Sequence, residues 1–192
     1  IVAKCAVSLE YTASSIAGML ASIMSLKKRG TPHTDNWINI QDKNIRAGCM
    51  QLFHNWSPHM IADASKVWIG VEFFCNETDE LWNRRDEEIA ASAIREMETI
   101  GLLHAKDIED TVVIKAPKAY PSYFGGYENF QAVRAYTDTI ENLFLIGRNG
   151  MHKYNNSDHS MLTAMEAVAN IIAGRKDKSN IWDINTEDEY HE

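Results

Sequence analysis

The stretch from Asn142 to Gly174 constrains this chain more than any other. An unbroken apolar run, Leu143 to Ile146, leads directly into the polar, glycine-punctuated segment GRNGMHKYNNSDHS, residues 147–160. Met161, Met165, Val168 and Ile172 then recur at helical spacing until Gly174 and Arg175 end the pattern. A short run without alternation predicts a fully buried strand, and the following period predicts a helix with its Met stripe in the core. Residues 142–174 therefore read as a strand–turn–helix unit.

The turn has chemistry of its own. Gly147 ends the strand without a Cβ, so a backbone or a ligand can come close. Arg148 offers a planar fork for phosphate or carboxylate, and Gly150 permits a second sharp bend. The helix is expected to begin near Asp158 or His159, capped by Ser157 or Asp158, with its first N–H groups pointing outward and carrying partial positive charge. Such a terminus behind a glycine-rich turn suits an anion or an electron-rich ring. A plain capped core helix after an exposed turn is the alternative reading.

Upstream, IVAKCAVSL reads as a buried strand and SSIAGMLASIMSLKKRG as a helix closed by Lys27, Lys28, Arg29 and Gly30. NWINI, RAGCMQLFHNW and KVWIGVEFFC are β-rich runs separated by turns of hairpin length, which predicts an antiparallel meander carrying Trp37, Trp56 and Trp68. DEEIAASAIREMETIGL reads as an amphipathic helix, with Asp86 as N-cap, Ile89, Ala93, Met97 and Ile100 on one face, and Gly101 after its end. TVVIKA is a short strand, PKAYPSYFGGYE a loop, and residues 129–140 a further helix.

The fold class is therefore α+β. The expected domains are a substrate-type antiparallel sheet with helices over residues 1–115, a strand–turn–helix part over 116–175, and a disordered acidic tail over 176–192. Ile181, Trp182 and Ile184 are the tail residues able to dock. That tail has six acids and two lysines, half of the chain's formal charge of −8. A mildly acidic body argues against nucleic acid as a partner. Cys5, Cys49 and Cys75 are widely spaced and odd in number, so free thiols in a reducing, cytoplasmic setting are expected. The segment AVSLEYTASSIAGMLASIMSLKK is too interrupted by polar residues to span a membrane.

The block GRNGMHKYNNSDHSMLTAMEAVANI, preceded by VRAYTDTIENLFLI, resembles the C-terminal FAD-contacting segment of one flavoprotein group. That group comprises UDP-galactopyranose mutase-like and amine oxidase or protoporphyrinogen oxidase-like proteins. The resemblance extends through DNWINI, FHNWSPHM, WIGVEFFCNETDELW, the 86–102 helix and KAYPSYFGGYENF. It implies a substrate domain, then a returning piece that completes an α/β FAD-binding domain. It places Gly147 and Arg148 along the ribityl-pyrophosphate of FAD, and Asn149, Asp158 and Met161 near the flavin ring. Tyr154, Asn155 and Asn156 would face a small-molecule substrate. A helix N-terminus at that position would stabilise reduced flavin.

The group's G-x-G-x-x-G turn is missing from these residues; Gly125 and Gly126 lack the strand–turn–helix context. The expectation is thus the C-terminal portion of a longer FAD-dependent oxidoreductase whose partner is an N-terminal dinucleotide-binding half, with FAD not expected to bind to this chain alone. A non-redox mutase is the alternative within the fold, with a tyrosine-rich pocket and arginines for two phosphates as its mark. A non-catalytic interaction domain is the alternative outside it. No catalytic residue is assigned.

Other groups carry weaker signals. His33, His54, His59, His152 and His159 lack the spacing of a metal site, so no metal is expected. Ser160 beside His159 has no nucleophile elbow around it. Glu72 interrupts an apolar strand, as the polar side of an alternating pattern or as a pocket carboxylate. Tyr120, Tyr123, Tyr127 and Phe124 either stack on a ligand or wedge their loop.

Overall fold

A computed structural model describes residues 2–23 and 34–185. It divides into two compact units. One is the continuous segment Ala13–Pro117, and the other combines Ile1–Thr12 with Lys118–Glu192. The boundaries drawn from the sequence, 115 and 116, give residues 1–12 to the first unit, whereas they belong with the C-terminal part.

The continuous unit is built on one five-stranded sheet of order β2-β3-β4-β1-β5. Its strands are β1 (Tyr11–Ser22), β2 (Trp37–Asn39), β3 (Cys49–Leu52), β4 (Lys66–Cys75) and β5 (Ile108–Pro121). The expected meander is present: β2 pairs β3 and β3 pairs β4, both antiparallel. The run RAGCMQLFHNW is only half strand, because the chain turns at Phe53 into α2 (Phe53–Trp56).

The opening of the chain reverses expectation. IVAKCAVSL is not a strand: Val2–Val7 form a helix, α1, with no buried residue. The segment read as a helix is largely β1, antiparallel to β4 from Ala13↔Cys75 to Ser22↔Lys66. β1 lies between two neighbours in the sheet and is covered on both faces, so its burial does not alternate, and tertiary pairing overrides the helix propensity of its Ala, Met and Leu residues. The proposed closing residues 27–30, and His33, lie outside the described residues.

α4 (Asp86–Thr99), which follows the short α3 (Glu80–Asn83), packs Ile89, Ala93 and Met97 into one core with Ala17, Met19, Ile69, Val71 and Phe73 of the sheet. Ile100, expected on that face, is exposed. The N-cap is Arg85, not Asp86; its backbone N–H donates to the Glu88 carboxylate at 3.1 Å, which answers one of the free donors of the first turn. Gly101 ends the helix at φ +80. Glu96, on the same helix, accepts the N–H groups of Arg46 and Ala47 at 3.1 and 2.9 Å and fixes the entry to β3.

Glu72 sits inside β4 and is buried. Its carboxylate accepts the Ser14 hydroxyl at 2.6 Å and faces the Cys49 thiol at 3.4 Å. It is thus a hydrogen-bonded group within the sheet, not an exposed polar edge.

The discontinuous unit contains α1, α5 (Phe130–Asp138), α6 (Gly147–Met151), α7 (Ser157–Ala173) and α8 (Ser179–Trp182). Phe130, Val133, Met151, Ala167, Ile181 and Trp182 form its core. The tail expected to be disordered is therefore structured as far as Asn185. Lys178 precedes α8, and Asp177 is held at a pKa of about 2 by the Ser179 hydroxyl, Arg175 and the Ser179 N–H. Residues 186–192 lie outside the described residues. No described helix is long and apolar enough to cross a membrane.

Candidate functional site

The strand predicted before Gly147 is extended chain outside any sheet, and the turn after it is the short helix α6. A continuous apolar run is strand-forming only where neighbouring strands take its N–H and C=O groups. Gly147 starts α6 at φ +70, a backbone conformation that a side chain would strain. Its N–H donates to the Thr163 hydroxyl at 3.0 Å, and its C=O accepts the Asn155 amide at 3.2 Å.

Arg148 follows from that anchored position. Its Nε donates to the Asn155 carbonyl at 2.9 Å, and its guanidinium carbon lies 4.3 Å from the Tyr154 ring centroid and 5.1 Å from that of Tyr120. The two rings are nearly parallel, 9° apart, with centroids separated by 5.6 Å. Among the described residues, the two terminal guanidinium nitrogens make no hydrogen bond, so a half-buried, stacked fork keeps its strongest donors available. Asn149 is exposed, and its side-chain amide reaches the carbonyl of Lys118 at 3.4 Å; Lys118 itself has φ +51.

The remaining residues separate into open and committed ones. Asn155 is buried; besides Gly147, its amide approaches the Met151 sulfur at 3.4 Å and its carbonyl oxygen accepts Asn185 at 2.8 Å. It holds the turn together. Asn156 is the N-cap of α7, one residue earlier than expected, and its N–H lies 3.4 Å from His159 Nδ1. Asp158 is exposed beside that imidazole at 3.6 Å. Residues 157 and 158 open α7 and have no preceding turn to bond to, so their N–H groups face outward, while Asn156 and His159 close the helix start as a capping pair.

Met161 does not enter a core. It is 66% exposed, as are Met165 (64%), Val168 (55%) and Ile172 (83%), which corrects the buried stripe inferred from the period. The inward pole of α7 is instead Thr163, Ala167 and Asn170, whose amide pairs with Asn180 of α8 at 2.9 and 3.1 Å.

His152, weighed from the sequence only as a metal ligand and set aside, organises the turn. It ends α6 at φ +48, is buried, and packs its ring against Tyr11 (edge-on, 4.8 Å), Tyr127 and Phe130. Nε2 lies 3.1 Å from the Ser122 carbonyl, which assigns it the proton; Nδ1 is buried without a hydrogen-bond partner. Burial lowers its pKa against the weaker opposing pull of the Ser122 carbonyl. The unfolded chain binds the proton first, so stability is complete above pH 6.5 and falls as pH drops below that value toward the depressed folded pKa. His152→Asn, which tolerates the left-handed backbone, is expected to flatten this slope in urea midpoints measured from pH 7.5 to 5. An unchanged slope would assign the dependence to other groups.

Of the tyrosines, Tyr127 wedges its loop by stacking on Tyr123, Phe130 and His152, Tyr120 joins the Arg148 platform, and the Tyr123 hydroxyl accepts the Tyr154 N–H. Among the described residues, no three His, Cys, Asp or Glu side chains come together as metal ligands would.

No family model and no curated protein matches the sequence. Its structure, however, superimposes on that of reduced UDP-galactopyranose mutase with a TM-score of 0.74 at 17% identity, over 95% of this chain and 38% of the other. The fold is similar to that of one part of UDP-galactopyranose mutase. A protein assigned as a protoporphyrinogen oxidase from Exiguobacterium sp. 255-15 aligns over 66% of this chain and 27% of its own, at 11% identity and a TM-score of 0.51. Both belong to the group named from the sequence. The chain spans just over a third of the mutase chain's length, with an α+β architecture around an antiparallel sheet.

Proposed function

We propose that this chain is the C-terminal portion of an FAD-dependent oxidoreductase acting on a small organic substrate, and that the turn at 147–160 holds the flavin end of the cofactor. The observation that carries this reading is Arg148: a guanidinium 4.3 Å from the Tyr154 ring centroid, fixed through Nε, whose terminal nitrogens make no hydrogen bond among the described residues, in the turn that precedes α7. These donors fit an anionic pyrophosphate, and the helix terminus suits the negative charge that a reduced flavin ring acquires. Gly147 and Arg148 would lie along the ribityl-pyrophosphate, with Asn149, Asp158 and Met161 near the ring. Bound flavin would supply hydride or electron-pair transfer.

This chain's own residues hold and orient. Asn155 ties Gly147 to Arg148, Thr163 anchors the Gly147 N–H, and Tyr154 offers the substrate side a ring with Asn156 next to it. The residues present fit the pyrophosphate and ring of FAD. They do not include a G-x-G-x-x-G turn for its adenosine half.

Two observations favour the non-redox mutase as a second reading. Its structural likeness is the stronger of the two reported, and Tyr120 stacks on Tyr154 so that Arg148 sits against a pair of tyrosines instead of one.

Titrating the chain with FAD, followed by flavin fluorescence, tests the site. Contact of the ring with the turn is expected to change emission saturably, only in the millimolar range because these residues include no G-x-G-x-x-G turn for the adenosine half, and Arg148→Ala is expected to weaken the interaction about tenfold or more. No change at millimolar FAD, or a change indifferent to Arg148→Ala, would remove the basis for the reading.

A further inference from the structure

Lys118 stands inside β5 in a left-handed conformation, φ +51, a region that glycine takes without steric cost. One such residue breaks the alternation of a strand and re-aims its side chain, and a strained backbone of this kind persists where the aim matters. The bend is tied down, since the Lys118 carbonyl accepts the Asn149 side-chain amide at 3.4 Å. The redirected ammonium lies 5.9 Å from the centroid of the Tyr11 ring. His152, the other left-handed residue that is not glycine among the described ones, meets the same ring edge-on at 4.8 Å. Both departures from ordinary backbone converge on Tyr11.

What collects there is donors without acceptors. From residue 118 onward, Arg134, Arg175 and Lys176 face carboxylates, and Lys153 and Lys178 donate to backbone carbonyls. The Lys118 ammonium and the outer nitrogens of Arg148 have no such partner among the described residues. The Tyr11 hydroxyl likewise makes no hydrogen bond among them. Glu10, the carboxylate next in sequence, lies instead against Gly125, 2.4 Å from a Cβ built there. The chain has 27 acids to 19 lysines and arginines, so a cation left without a carboxylate does not lack one for want of supply. An ammonium can only donate, and an unbonded phenol donates well to charge, so their common complement is an oxyanion.

We propose that Lys118 and Tyr11 form a seat for an oxyanion, the carboxylate or phosphate of a small molecule, separate from the Arg148 fork. The ammonium supplies the charge, the phenol supplies a directed O–H, and Asn149 holds the bend that presents the ammonium. Arg148 rests on different rings, those of Tyr154 and Tyr120, so the two cations serve two anions. The seat does not depend on the flavoprotein reading.

Amide NMR spectra of the whole chain, titrated separately with sodium phosphate and sodium acetate at constant ionic strength, test it without FAD. Saturable shifts in the millimolar range are expected at Tyr11, Lys118 and Asn149, and the salt that saturates first tells phosphate from carboxylate. Lys118→Gln is expected to weaken binding about tenfold and Tyr11→Phe about threefold, while Lys118→Arg keeps most of it. Lys118→Gln is also expected to leave the flavin emission change intact, in contrast to Arg148→Ala. The proposal is overturned if the shifts stay linear with both salts, or if Lys118→Gln binds the anion as the parent does. It is also overturned if Lys118→Gln weakens the FAD response as much as Arg148→Ala, because Lys118 would then belong to the cofactor turn. Saturable anion shifts in a chain that gives no response to FAD would count against the cofactor reading and leave this seat standing.

Discussion

Lys178→Ala is expected to lower stability by about 3 kcal/mol, because one buried ammonium serves a cluster of carbonyls. Lys178 is buried, and its Nζ donates to Ile140 and Leu143 carbonyls at 2.7 Å each and approaches those of Thr137 and Asp138 at 3.4 Å. The Thr137 and Asp138 carbonyls end α5, where the helix dipole is negative and a cation is favoured, and those of Ile140 and Leu143 lie in the chain just after it. The Phe144 ring lies 5.1 Å from the same nitrogen. Alanine would leave the carbonyls desolvated with no donor. Urea unfolding should show the lower midpoint, and amide exchange should locate the loosening at the end of α5 and in α8. A midpoint within experimental error of the parent would mean that water replaces the ammonium at no cost.

Gly126→Ala is the second large effect, again about 3 kcal/mol, from overpacking against backbone. A Cβ at 126 would lie 2.2 Å from the Ser8 carbonyl oxygen and 2.6 Å from its carbon. Ser8 cannot readily retreat, since its N–H bonds to the carbonyls of Lys4 and Cys5 and its hydroxyl bonds to Cys5 at 2.8 Å, closing the end of α1. The substitution is expected to detach α1, seen as fast amide exchange over residues 2–8 together with a lower melting temperature. Gly174→Ala is the control. Its φ is +62 but no atom lies within 4 Å of the added carbon, so it should cost only about 1 kcal/mol. Gly126 itself has no positive φ, so an effect at 126 no larger than that at 174 would show that Ser8 yields to the added carbon at little cost.

The sequence made α4 readable because it buries one face and exposes the other, and the meander readable because its β-branched and aromatic runs are set apart by short turns, although β3 and β4 are buried on both faces. Ile89, Ala93 and Met97 are examples, as is the pairing of β2, β3 and β4 through short turns. β1 was hidden by the opposite circumstance. A strand covered on both faces shows no period, and its Ala, Ser and Met residues are those of a helix. The Met stripe of α7 was legible as a face but not as an outward one, since periodicity reports that residues share a side without saying which side the protein covers. In the candidate site, Gly147 and Arg148 were accessible to reasoning from residue type. Asn155 was not, because a buried amide tying a turn together has the same signature as one displayed to a ligand. Tyr120 joins Tyr154 only after β5 extends through Pro121, beyond the proline at which the strand had been ended. His152 gave no signal beyond its type.

The division of the chain has a consequence for its synthesis. Residues 1–12 leave the ribosome before residues 13–117, yet the residues they pack with begin at Lys118. At ordinary elongation rates the intervening segment takes roughly 5 to 20 s to emerge. The sheet and α4 can form in that interval from local hairpins and one helix. α1 meanwhile waits without its partner, too short to persist as a helix on its own. α1 is thus fixed later than the sheet that follows it in the chain, and a nascent chain halted before α5 would carry that sheet with α1 still unpaired.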